Sequence, residues 1–189
     1  MLVACAIFAP GCRALPGGST SPTLVSVTTR DQLPMRLPTQ VFAPSKAGIA
    51  DIYLTDLPAD ALTGGKDLGQ LSGTIVHIHV FTIPSAGDTP IATTATTSTV
   101  RVAILANGQA GVYAGGGFFN TSDDDAAGKD FSGTVREATL YLRHATDGFD
   151  DILGPSRFST SVSAKRDEKL ATALRDALDA VTNAAKVVE

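Results

Sequence analysis

The 189-residue chain contains no tryptophan, two cysteines, two methionines and few aromatic residues, eight Phe and three Tyr. Each shortage excludes something. Both cysteines, Cys5 and Cys12, lie in the first dozen residues, so a folded body beginning near residue 20 holds no disulfide and tolerates an oxidising or a reducing compartment alike. The scarcity of rings argues against a stacking platform for sugars or bases. Lys and Arg number 15 against 19 acidic residues, a formal charge of −4. Without a broad basic surface for phosphates, nucleic acid is not an expected partner. No Gly-x-Ser-x-Gly elbow occurs, and Gly115-Gly116-Gly117 is not followed by the Lys-Ser/Thr of a phosphate loop, so the common nucleophile and nucleotide signatures are missing. The apolar run at the start, Leu2 to Ala9, is too short to span a bilayer.

That run is followed by Pro10, Gly11 and Cys12. An apolar stretch, small residues and then cysteine resembles a bacterial lipoprotein signal, here without a positively charged leading region and with a proline where small residues are usual. The resemblance implies export and a lipid anchor on Cys12. Leu2-Val3-Ala4-Cys5 fits the residue preferences better but has almost no apolar run before it. Residues 1–12 are therefore read as the signal and 13–23, rich in Gly, Pro and Ser, as a tether. The expected address is the cell envelope, membrane-anchored or secreted.

Residues 24–164 carry period-two patterning. Val76, Ile78 and Val80 fall on one face of a strand and Ile75, His77, His79 and Phe81 on the other. Val100, Val102 and Ile104 alternate with Thr99, Arg101 and Ala103, and Asn107-Gly108 supplies the positive φ values of a type I′ turn, so a hairpin is expected over Ser98–Tyr113. Asp51–Leu57 alternates Ile52 and Leu54 against Tyr53 and Thr55. The segment Leu33–Gly48 has three prolines and is expected at an edge, with Val41 and Phe42 pinned to the core. The glycine triplet predicts a bulge, a sharp bend or the close approach of another backbone. The threonine-rich stretch Thr89–Thr99 suits the solvated face of an edge strand. In Ser132–Ala145, Ala138, Leu140 and Leu142 share one face with His144, and Val135, Glu137, Thr139 and Tyr141 take the other.

From residue 165 the period changes: Leu170, Leu174, Ala177, Leu178, Val181 and Ala185 follow helical spacing, with Ser163 as the expected N-cap. The fold class is thus mainly β, an antiparallel β-sandwich of about seven or eight strands, with one C-terminal α-helix over 165–189.

The candidate chemistry is thin. His77 and His79 project the same way from one strand, which is how some zinc or copper sites begin, but a closed site needs His144 or a carboxylate to converge on them. Asp123, Asp124, Asp125 and Asp130 form one acidic cluster and Asp147, Asp150 and Asp151 another. The first starts like a calcium loop but has Thr134 where the closing Glu belongs, so calcium is not expected. Glu137 reads as a surface ion pair with Arg136 or Arg143.

No catalytic set is complete. The expected function is a cell-envelope binding or assembly module, meeting a protein partner through a loop end, a strand edge or the helix. A metal-binding protein or metal-dependent enzyme built on His77 and His79 is the alternative, and a self-associating structural protein a further one. A third ligand beside the histidine pair favours the metal alternative.

Overall fold

A computed structural model describes residues 21–46, 49–64, 68–81, 96–121 and 128–188. Ten strands and two α-helices occur among them: β1 Thr23–Ser26, β2 Gln32–Pro34, β3 Thr39–Lys46, β4 Ile49–Thr55, α1 Ala59–Thr63, β5 Gly73–Val80, β6 Ser98–Ala106, β7 Gln109–Thr121, β8 Asp130–Ala145, β9 Ser156–Arg166, α2 Glu168–Ala184 and β10 Lys186–Val187. The molecule is mainly β with a C-terminal helix, as the patterning predicted. The lipid-anchor candidates Cys5 and Cys12, the acids Asp123, Asp124 and Asp125, and most of the threonine-rich stretch lie outside the described residues. No helix among the described residues is long and apolar enough to cross a membrane.

The strands form one sheet in the order β10-β8-β7-β6-β5-β4-β3-β9-β1-β2, with β8 also pairing β9. That last pairing closes the seven strands β3 to β9 into a ring. Opposite walls face each other across a shared core, which is the sandwich-like arrangement expected, made from one continuous sheet. All the ring's pairings are antiparallel except β3 with β9, which is parallel and covers two residue pairs, Val41 with Lys165 and Phe42 with Arg166.

Alternation sends one set of side chains inward. Phe42, Ile52, Leu54, Val76, Ile78, Val100, Val102, Tyr113, Phe119, Leu140 and Phe158 meet in this interior, joined by Met35 and Leu37 from the segment before β3. The other set would face water, but α2 covers part of it. Tyr53, Ile75, Ala103, Leu105 and Val112 on the outer face of the sheet pack against Ala171, Leu174, Ala177, Leu178 and Val181 of the helix. β5 is therefore largely buried on both faces, and on its outer face His77 lies beneath the helix.

The Asn107-Gly108 turn joins β6 to β7 with φ values of 52° and 77°, and Ser98 to Ala106 pair in register with Gly117 to Gln109. β6 lies between β5 and β7, so Thr99 belongs to a central strand rather than an edge. Thr97 is buried and its hydroxyl accepts from the Phe119 amide at 2.8 Å. At the glycine triplet two of the expected features are present, the bulge and the close approach. The ladder to β8 shifts between Gly116 and Phe118, and a Cβ on Gly115 would lie 1.9 Å from the Thr139 carbonyl oxygen.

Three further expectations need correction. In β8 the register to β9 shifts between Val135 and Ala138, and Glu137 takes a φ of 51°. This bulge turns Val135 into the same interior as Ala138 and Leu140, where strict alternation had separated them. Glu137 pairs with Arg157 at 3.5 Å, not with Arg136 or Arg143; Arg143 lies over the Tyr141 ring. The helix also starts later. Ser163 stays in β9 because its amide donates to Gln40 Oε1 at 2.8 Å and the β8 ladder runs on past it. Asp167 is the N-cap, accepting from the Leu170 amide at 2.9 Å.

Candidate functional site

The outer face of β4, β5 and β6 carries the site. Register sets Asp51 opposite His79, Tyr53 opposite His77, His77 opposite Arg101 and His79 opposite Thr99. Directly opposed residues share a face, and a long side chain also reaches its diagonal neighbour. Asp51 uses both options. Its Oδ1 accepts from His79 Nδ1, the opposite residue, and from His77 Nε2, the diagonal one, each at 2.8 Å. The Asp51 carboxylate and one nitrogen of each imidazole lie within 4.8 Å of one another. The expected histidine pair thus has the converging carboxylate that a metal site requires.

The surroundings hold the two rings differently. Tyr53 stacks on His77 with centroids 4.6 Å apart and planes 12° from parallel. Arg101 approaches His77 Nδ1 with Nη2 at 3.1 Å and Nε at 3.4 Å, and its Nη1 donates to Asp179 Oδ1 of α2 at 3.2 Å. His77 is 8% exposed. The His79 side chain, beyond the helix, keeps 35% of its surface open to water. A cleft of about 140 Å³ remains between sheet and helix, lined by Asp51, Tyr53, His77, Arg101, Arg175 and Asp179 among others.

The electrostatics follow from this packing. Burial holds the His77 imidazole below its ordinary pKa, and the Arg101 charge pushes the same way, outweighing the hydrogen bond to Asp51. Burial alone would raise the Asp51 carboxyl, but the bonds from His77 and His79 hold it below the usual range. Burial raises the Tyr53 phenol, with the Asp51 charge acting in the same sense. At neutral pH the site therefore presents a carboxylate beside a neutral His77, the protonation states that metal coordination needs.

The other predicted groups do not join this cluster. His144 sits on β8, three strands from β5, opposite Val112 and Val187. Asp147 pairs with Lys186 at 2.7 Å, and Asp151 accepts from the Tyr113 hydroxyl at 2.5 Å and the Gly154 amide at 2.9 Å. Asp147 thus links the chain after β8 to β10, and Asp151 ties the loop before β9 to Tyr113 inside β7. The residue that sequence reasoning missed is Asp51. The signal was an acid at the head of DIYLTDL on the Tyr53 face, but nothing in the spacing says that this strand lies beside the histidine strand. Comparison with protein-family models, with curated proteins and with solved structures gave no match.

Proposed function

We propose that this chain is a metal-binding domain that takes up zinc or copper(II) through Asp51, His77 and His79, tethered at the cell envelope by the leader around Cys12. The observation that carries the reading is the convergence of one carboxylate and two imidazoles from two adjacent strands, within 4.8 Å of one another. Two nitrogens and an oxygen suit zinc or copper(II), whereas calcium and magnesium prefer all-oxygen shells. Three protein ligands leave a coordination position open, unlike the closed four-ligand sites that only brace a fold. The adjoining cleft of about 140 Å³ is smaller than the 300–1,000 Å³ typical of small-molecule sites. Capture and carriage of the ion therefore fit better than turnover of an organic substrate.

The test is calorimetric titration of the chelator-treated protein with zinc and with copper(II). One ion per chain is expected. Asp51→Asn and His79→Ala should each weaken binding on the order of 100-fold, at least as much as loss of an outer-shell partner costs. Both positions are partly exposed, so both variants should fold. If neither ion binds stoichiometrically, the three residues form a hydrogen-bonded brace and the binding or assembly module becomes the better reading. A partner would then meet the polar face of α2, because its apolar face packs against the chain's own sheet.

A further inference from the structure

Arg101 stands directly across from His77 on β6 and touches both the sheet cluster and the helix. A neutral imidazole has one N–H and one lone pair, and a guanidinium has only donors. With Arg101 donating to Nδ1, the lone pair of His77 is engaged there, and the proton sits on Nε2, where it donates to Asp51 Oδ1. A metal ion at Nε2 needs the opposite tautomer. The proton then moves to Nδ1 and faces the N–H groups of Arg101, donor against donor. The ion would also bring positive charge close to the guanidinium where His77 is 8% exposed and solvent screens weakly. The Arg101 contact to His77 and metal coordination by His77 therefore exclude each other.

The helix offers an exit. Arg101 Nη1 already holds Asp179 Oδ1 at 3.2 Å, and that side chain is half exposed, with room to accept a second guanidinium nitrogen. Arg175, which also lines the cleft, turns to Asp176 on its own helix at 3.3 Å.

We propose that Arg101 is a resident cation that holds the Asp51, His77 and His79 cluster closed to metal, and that loading transfers it from His77 to Asp179 on α2. The inference rests on the metal reading above and adds to it a competitor and a route by which the helix registers the ion. Arg101 is a positioning residue here: it is displaced by the metal and does not ligate it.

Zinc titration of the full chain and of Arg101→Gln tests it. The variant should bind on the order of tenfold tighter, the size of one lost charge-assisted hydrogen bond. Asp179→Asn should bind more weakly than the native chain, and that loss should vanish in the double variant. Nitrogen chemical shifts of His77 should place its proton on Nε2 without metal and on Nδ1 with zinc, the exchange that coordination at Nε2 requires. Should Arg101→Gln fail to fold, Arg101→Lys, which keeps the charge without the fork, should bind zinc more tightly than the native chain, and equal or weaker binding by it counts against the inference in the same way. Equal or weaker binding by the folded variant overturns the inference and leaves the metal site standing, whereas a proton that stays on Nε2 with zinc bound removes His77 from the ligand set and overturns both. Failure of zinc and copper(II) to bind either protein overturns the metal reading and the inference together.

Discussion

Tyr113 shows how a single buried hydroxyl ties stability to pH. Its ring lies in the interior and its hydroxyl donates to Asp151. Burial raises the phenol above its ordinary value of 10.0, and the bond to the Asp151 carboxylate raises it further. The unfolded chain ionises near 10, while the folded chain holds its proton to a higher pH. The contribution is therefore full below pH 10 and is lost as the pH climbs above it. Thermal melts from pH 8 to 11 should show the native protein falling steeply above pH 10 and Tyr113→Phe falling less. The variant should start about 1–2 kcal/mol lower at neutral pH, since Asp151 loses a donor. Tyr53, also raised by burial, accounts for the residual slope. Coincident alkaline slopes for the two proteins would assign the effect elsewhere. At this scale the sequence was half legible. His77 and His79 could be read from a two-residue spacing, whereas Asp51 reaches them across 26 and 28 positions of chain and only through a strand pairing that no local pattern encodes.

Among the elements, α2 binds most of the outer face together. Leu174 and Leu178 are fully buried against Tyr53, Ile75 and Val112. Leu174→Ala should cost about 2–5 kcal/mol in urea denaturation with an unchanged slope, as expected for a large-to-small change in a packed site. A cost below about 1 kcal/mol would mean that the helix rests loosely on the sheet. The helix's period and composition announced it, but its start did not, because Ser163 and Asp167 are both good caps in isolation and only the reach of the β8 ladder decides between them. The bulge at Glu137 was hidden for a related reason. A glutamate at a φ of 51° is an uncommon choice for that backbone, so alternation was extended straight through it. The Asn107-Gly108 hairpin was read correctly because its turn chemistry and its flanking alternation point the same way.

The whole molecule is a ring with one weak seam. β3 and β9 meet through two parallel residue pairs, whereas the neighbouring pairings of the ring run through six to ten. Beyond those pairs the Asp167 amide donates to the Phe42 carbonyl at 3.2 Å. Native-state hydrogen exchange should find the Asp167 amide opening more than about tenfold faster than those of Val100 and Val102 in the middle of the sheet. Equal protection at both places would mean that the ring opens only with global unfolding.

The seam leaves part of β3 without a neighbour strand on that side, and Pro44 sits in this stretch. A proline has no amide hydrogen to offer an incoming chain. The two remaining margins of the sheet, β2 and β10, are three and two residues long. Among the described residues, neighbouring copies therefore find almost no ladder to extend, and crowding the protein on a surface or concentrating it in solution should not drive these strands toward amyloid-like stacking.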